Sequence, residues 1–458
     1  MLRASAANVG LNNMSNNSYK ISKFNNIREI NGKKIIYNFR TGGLVELTEN
    51  SFKLIKKASL GPIDLNDEEK EQNEFLLDAF FVPAWLDEIK YLEIIYENAK
   101  KNASELSLTI LPTLSCNFNC YYCYQNKKNE NLRIDVVSGI LKLVSEQADT
   151  VDQINISWYG GEPLLLSNQI YTLSKELKRI TDKHRISYNA GLISNCYLLT
   201  PHIADKLFEA GLKRLQVTYD GPREYHDKIR NVHGKPSFDL ITKNIKYALN
   251  QWEITIRVNV SHDNYYLIPI LLEQLAESGL NKASAINFAP VHFGRTINSK
   301  LISSSDFEEY CVEFSEMAFN LGFNISFPLA PHFKPCSAVT LGAFVIEPNG
   351  SVKKCWNDVG NYTRNIGFLS SNGLKLIPNK ELDNWINHNP FMNQDCRDCL
   401  VLPCCLGGCP WVALNNSPSE SLCHKSKSKY GAYIDMVYNW LCNGAEYDPI
   451  KQTIKPKK

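Results

Sequence analysis

The sequence predicts an α/β protein whose centre is a partial barrel of six strand–helix units. Two observations carry that expectation. Apolar runs of strand length alternate with helical stretches over residues 106–330, and such repeats favour parallel strands joined by right-handed crossovers. The 14 cysteines gather in clusters, and they mark a C-terminal segment held by something other than a large apolar core. A chain of 458 residues predicts more than one domain. Three blocks are legible, at 18–105, 106–330 and 331–440.

The first block opens with short strand candidates, Lys34–Asn38 and Leu44–Leu47, around the turn-like Thr41-Gly42-Gly43. Thr48 suits a helix N-cap, with the helix running to Lys57. Helical patterns follow at Asp67–Ala79 and Trp85–Lys101, so the block reads as a small strand-plus-helix module.

In the middle block the strand candidates are Leu106–Pro112, Ile154–Tyr159, Arg185–Ile193, Arg214–Tyr219, Ile254–Val260 and Ala285–Pro290. Helix-length segments such as Asp135–Ala148 and Pro201–Ala210 separate them. In a parallel barrel the reactive residues sit at the carboxyl ends of the strands. The last block loses this rhythm and is rich in Cys, Gly, Pro and Asn. Its basic end, Lys455-Pro456-Lys457-Lys458, is expected to fray.

Fifty Lys and Arg nearly cancel 48 Asp and Glu, so no nucleic-acid or membrane partner is expected. Met1–Gly10 has no apolar core of signal-peptide length, and no run approaches membrane-spanning length, which predicts a cytoplasmic protein. Thiols stay reduced there, so clustered cysteines point to metal ligation or catalysis. Cys196, Cys311 and Cys442 stand apart and read as small buried hydrophobes.

The first strand of the middle block runs into Cys116-Asn-Phe-Asn-Cys120-Tyr-Tyr-Cys123. Three thiolates this close can hold three irons of a four-iron cluster, leaving one iron open to a ligand. A zinc loop fits poorly, because C-x3-C-x2-C has no fourth Cys or His nearby.

This loop resembles the signature of the radical S-adenosylmethionine (AdoMet) superfamily, and the resemblance extends along the middle block. Trp158-Tyr159-Gly160-Gly161-Glu162-Pro163 matches the family's Gly-Gly-Glu motif. The glycines would permit close backbone approach to the ligand, and Glu162 would accept hydrogen bonds from the AdoMet ammonium. Ser194-Asn195-Cys196 stands where relatives carry a Thr-Asn-Gly-like motif, with Cys196 in place of Gly. Thr218-Tyr219-Asp220-Gly221-Pro222, continuing to His226-Asp227-Lys228-Ile229-Arg230, is similar to the family's S-x-D-G-P…H-D-x-x-R stretch. The resemblance implies AdoMet contacts from Tyr122, Gly160, Gly161, Glu162, Ser194, Asn195, Asp220 and Arg230. Arg230 would pair with the AdoMet carboxylate; half of a surface ion pair is the alternative for it. Arg257 and Asn259 are further candidates for the same pocket.

Cys336-x13-Gly350-x4-Cys355, then Cys396-x2-Cys399-x5-Cys405-x3-Cys409 and Cys423, resembles the SPASM domain of radical AdoMet enzymes that modify peptides. By that resemblance Cys396, Cys399, Cys405 and Cys423 hold one auxiliary cluster, and Cys336, Cys355 and Cys409 hold another. The second set lacks an evident fourth ligand, with Cys404 and Cys311 the available thiols; Cys404 reads as inert. Three [4Fe-4S] clusters are therefore implied.

Residues 18–105 resemble the winged-helix-like peptide-recognition module that precedes many such enzymes, where a leader peptide adds a strand to a sheet edge. The resemblances together imply a peptide maturase that cleaves AdoMet to a 5′-deoxyadenosyl radical and abstracts hydrogen from a ribosomally made precursor peptide. A thioether or similar cross-link is the expected product, with a small redox protein as electron donor. The alternatives are an anaerobic sulfatase-maturating, formylglycine-forming enzyme and a non-catalytic iron–sulfur electron carrier or sensor.

Overall fold

A computed structural model describes residues 18–125, 127–291, 302, 304–415, 423 and 427–457. Met1–Gly10 and Lys458, on which two of the expectations above fall, lie outside the described residues.

Six parallel strands form the centre: β7 (Glu105–Ile110), β8 (Gln153–Trp158), β9 (Ser187–Ile193), β10 (Leu212–Tyr219), β11 (Glu253–Val260) and β12 (Ala285–Pro290). The strands before them are β1 (Ser18–Ile21), β2 (Asn25–Ile30), β3 (Lys33–Asn38), β4 (Leu44–Glu46), β5 (Ile63–Asp64) and β6 (Phe81–Pro83). Each central strand is joined to the next by helix, for example Ile134–Gln147 and Ser167–His184. Alternation explains the strands. β8 buries Ile154, Ile156 and Trp158 completely, whereas Gln153, Asn155 and Ser157 are half-buried. β7 and β11 repeat the pattern. One face thus packs on the helices, and the other gives the barrel a polar lumen.

The sheet does not end at the sixth strand. After β12 come β13 (Ile325–Ser326), β14 (Ala343–Ile346), β15 (Ser351–Lys353), β16 (Gly367–Ser370), β17 (Gly373–Leu376), β18 (Glu446–Asp448) and β19 (Thr453–Lys455). The full order is β17-β16-β15-β14-β7-β8-β9-β10-β11-β12-β13-β19-β18, a linear run of 13 strands. C-terminal strand β14 lies parallel to β7, and β13 continues the parallel set beyond β12. The cysteine-rich segment is thereby fixed to the barrel edge beside the first cysteine loop.

The N-terminal block holds two small antiparallel sheets, β5-β1-β6 and β2-β3-β4. Strand β3 faces two cores. Ile35 and Tyr37 join the main core, while Ile36 packs in a smaller one with Val45, Leu47, Ile55 and Phe80. Tyr37 donates to the Leu329 carbonyl at 2.7 Å, and buried Arg40 and Glu88 pair at 3.3 Å. Thr48 caps helix Glu49–Ala58, accepting from the Ser51 N–H.

Some boundaries differ from expectation for local reasons. The pattern at Asp67–Ala79 divides into helices Asp67–Gln72 and Glu74–Phe80, because Asn73 leaves the helical region. The last of the four N-terminal helices starts at Glu88, where Asp87 caps it. Strand β9 starts at Ser187 because Arg185 ends the preceding helix in the left-handed region, with φ 58°. The tail is also corrected. Lys455 pairs with Glu446 in an antiparallel ladder, so the tail is held in the sheet at that residue.

Candidate active site

The cysteine loop follows β7 at the carboxyl end of the barrel. Its shape is set by the turn after β8. Gly161 N–H donates to Thr113 O at 3.1 Å, and Glu162 N–H donates to Ser115 O at 2.8 Å. Gly160 has φ 128°, and a Cβ there would lie 2.5 Å from Thr113 O. A Cβ on Gly161 would lie 2.1 Å from Ser115 O. The two glycines were expected to admit a ligand. What occupies their cleared space is the backbone of the cysteine loop itself.

Glu162 is buried, 1% exposed, and its carboxylate accepts from three donors. Its Oε1 accepts from Leu164 N–H at 2.9 Å and Ser194 Oγ–H at 2.7 Å; Oε2 accepts from Asn195 N–H at 2.8 Å. A carboxylate has about four acceptor positions, so one remains on Oε2. Burial raises the Glu162 carboxyl above its ordinary value, against the lowering effect of the Asn195, Leu164 and Ser194 bonds. Cys196, which replaces the family's Gly, has φ 60° and is fully buried. The position is left-handed, which is why glycine suits it elsewhere.

A second network joins Tyr122, Asp220, Arg230 and Asn259. Tyr122 donates to Asp220 Oδ2 at 2.5 Å, Arg230 donates to the Tyr122 oxygen at 2.8 Å, and Asn259 donates to Asp220 Oδ1 at 3.0 Å. Asn264 supports it by donating to the Asn259 carbonyl at 2.8 Å and to the Asp220 carbonyl. Burial works to lower the Arg230 pKa, but Tyr122, Cys120 and Asp220 outweigh it and hold the guanidinium charged. The surface alternative for Arg230 is corrected: the residue is 8% exposed and belongs to this buried network.

The cysteines fall into three electrostatically coupled groups. Cys120 feels Cys123, and Cys116 feels Cys120. Cys355 feels both Cys336 and Cys409. Cys396 feels Cys405, Cys399 and Cys423. Burial pushes the Cys116 and Cys396 thiols up to about 11, so iron must displace their protons on binding. No three Cys, His, Asp or Glu side chains converge on a single ion's position among the described residues, whereas a four-iron cluster spreads its ligands over several irons. Two buried donors beside the first loop, Arg230 Nε and Asn117 Nδ2, lack hydrogen-bond partners. Coupled thiols and orphaned donors together fit a bound cluster and a cosubstrate carrying a carboxylate. Cys404 is 1% exposed, and its thiol donates to the Leu329 carbonyl at 2.8 Å.

Residues 110–277 match the family model described as the radical SAM superfamily. The chain carries a radical SAM domain. Enzymes of this superfamily use AdoMet and an iron–sulfur cluster. A serine-type anaerobic sulfatase-maturating enzyme from Bacteroides thetaiotaomicron is 30% identical over 163 residues, covering 33% of this chain and 39% of that protein. A cysteine-type anaerobic sulfatase-maturating enzyme from Clostridium novyi is 22% identical, covering 66% of this chain and 87% of that protein. Among solved structures, anSMEcpe with bound AdoMet and Cp18Cys peptide has a TM-score of 0.58 at 18% identity, covering 74% of this chain and 98% of that one. Streptococcus suis SuiB bound to precursor peptide SuiA has a TM-score of 0.50 at 17% identity, covering 88% and 99%. At these identities the structural likeness shows the fold.

The radical SAM domain also contains side chains that sequence reading passed over. Tyr159 stands just before the two glycines, and its hydroxyl hydrogen-bonds that of Tyr124. The ring of Tyr159 lies 5.6 Å from that of Trp356, next to Cys355. Tyr159 thus links the segment that ends in Tyr124, after Cys123, to Trp356, after Cys355. Tyr159 falls within the quoted motif, but its partners lie 35 and 197 positions away, and no local pattern reveals them.

Proposed function

We propose that this protein modifies a peptide substrate by radical chemistry, joining a substrate cysteine sulfur to a carbon. The observation that carries the reading is that Tyr159 touches both segments: its hydroxyl hydrogen-bonds Tyr124, next to Cys123, and its ring lies 5.6 Å from that of Trp356, next to Cys355. It sets the loop suited to a reactive cluster beside a set of three cysteines with no evident fourth ligand. When bound, a [4Fe-4S] cluster and AdoMet supply reductive cleavage to methionine and a 5′-deoxyadenosyl radical.

The chain's own residues then have defined tasks. Cys116, Cys120 and Cys123 hold the reactive cluster, and Glu162, with its remaining acceptor position, takes the AdoMet ammonium. Arg230, with an unpartnered Nε, takes the AdoMet carboxylate. Tyr122, Asp220 and Asn259 hold that guanidinium in place. Two further clusters reside at Cys396, Cys399, Cys405 and Cys423 and at Cys336, Cys355 and Cys409. In the overall change the substrate gives up two hydrogens: one leaves as an atom, the other as the thiol proton. An auxiliary cluster held by Cys336, Cys355 and Cys409 would supply the acceptor for the remaining electron. A small redox protein returns electrons between turnovers. Residues 18–105, with two small sheets ahead of the barrel, serve as the leader-peptide module.

The sulfatase-maturase reading stands beside this one, favoured by two curated relatives bearing that name. One experiment separates them. The full chain, reconstituted anaerobically, is incubated with AdoMet, reductant and synthetic Cys-containing peptides from short reading frames flanking its gene, alongside a sulfatase-type Cys peptide. Loss of two hydrogens with sulfur retained in a flanking-frame peptide supports the proposal. Loss of sulfur from the sulfatase peptide alone overturns it.

A further inference from the structure

Strand β11 sends Ile254, Ile256, Val258 and Val260 into the core, all fully buried. Thr255 and Arg257 on the opposite face are half-buried. That face lines the lumen, because Asn259, two residues on, reaches the Tyr122 hydroxyl at 3.2 Å and Asp220 at 3.0 Å. The positions paired with it on the flanking strands are neutral, Thr218 and Asn287, and Asp220, reached through Asn259, is already engaged by Tyr122 and Asn259. Arg257 brings a permanent positive charge among them. Its Nε donates to Asn259 Oδ1 at 2.9 Å, and it makes no ion pair among the described residues. The Arg257 charge works to lower the Tyr159 pKa, and the Tyr159 ring meets that of Trp356, next to Cys355.

We infer that Arg257 is a specificity-determining residue that binds a carboxylate of the peptide substrate, from an Asp or Glu side chain or from the chain's C-terminus. The inference rests on the peptide reading above and narrows its substrate class. A guanidinium held through Nε keeps its two terminal nitrogens for a planar, bidentate partner. A partly buried site raises the value of that pairing over one in bulk water. Held there, an acidic residue places adjoining residues of the peptide beside Tyr159. AdoMet carries a carboxylate too, but Arg230, with its orphaned Nε, is already placed for it.

The test uses the reconstituted full chain and a displayed pool of random decapeptides, half of them ending in a free carboxylate and half in an amide. The pool is selected in parallel on the native protein, Arg257→Gln and Arg257→Glu. Native protein is expected to enrich Asp, Glu or free-carboxylate members roughly tenfold over Arg257→Gln, as loss of a charge-assisted pair implies. Arg257→Glu is expected to enrich Lys and Arg, an inversion that a merely misfolded variant would not produce. Side-chain and terminal sources separate by whether amidated members survive selection. Identical enrichment on native protein and Arg257→Gln removes the carboxylate assignment alone. Enrichment on neither removes the peptide reading, and this inference with it. An equilibrium-dialysis arm measures AdoMet affinity without peptide. A tenfold weakening in Arg257→Gln would assign the guanidinium to AdoMet and overturn the proposal.

Discussion

Gly161→Ala tests whether the turn after β8 shapes the cysteine loop. The added Cβ would stand 2.1 Å from Ser115 O, 2.6 Å from Ser115 C and 2.8 Å from Leu114 O. A relaxed C···O contact needs about 3.3 Å, so the loop must retreat by about 1.2 Å. The atoms that must yield are backbone, immediately before Cys116. The retreat stretches the bonds from Gly161 N–H to Thr113 O and from Glu162 N–H to Ser115 O. Overpacking of about 1–3 kcal/mol and roughly 1 kcal/mol for each of the two weakened bonds give a loss of about 3–5 kcal/mol. Iron and sulfide are counted after anaerobic reconstitution, and thermal unfolding is followed in parallel. The variant should lose the iron of the first set and unfold earlier. Gly191→Ala, with its nearest contacts at 3.4 Å, should come close to native on both. A Gly161→Ala protein with full iron and a native midpoint would refute the reasoning.

Two further predictions follow from the buried networks. Glu162 titrates above its ordinary value because of burial, so the fold gains from its protonation as pH falls and loses that gain as pH rises through the folded-state value. AdoMet binding runs the other way, since its ammonium needs the ionised carboxylate. Native affinity should therefore weaken on acidification above the ordinary carboxylate range, and Glu162→Gln should bind weakly with that dependence gone; isothermal titration at several pH values decides. Tyr122→Phe removes the hydroxyl shared by Asp220 and Arg230 and leaves both short of a partner. A stability loss of about 1–3 kcal/mol is expected, measured by denaturant unfolding, and a native value would show that solvent fills the place.

Much of this site was legible because its chemistry is local. Cys116, Cys120 and Cys123 lie on one loop, and Gly160, Gly161 and Glu162 on one turn. The six central strands announced themselves through alternation, as Ile154, Ile156 and Trp158 do in β8. What stayed hidden is long-range pairing. Nothing in Ala343–Ile346 says that it will lie parallel to β7, because edge pairing depends on geometry assembled elsewhere. The glycine roles were legible as a need for space but not as to its occupant, since that requires knowing where Ser115 O falls. Arg230 read equally as surface or buried because a lone cation carries no burial signal. Only the packing of Tyr122 and Phe118 against it decides.

The most direct measurement is 5′-deoxyadenosine formation by the anaerobically reconstituted chain under strong reductant. Native protein should release 5′-deoxyadenosine and methionine, and the triple change Cys116→Ala, Cys120→Ala and Cys123→Ala should abolish both. Iron held by Cys336, Cys355, Cys396, Cys399, Cys405, Cys409 and Cys423 should remain, because thiolates from other segments hold it. Undiminished cleavage in the triple variant would contradict a radical mechanism seated on that loop.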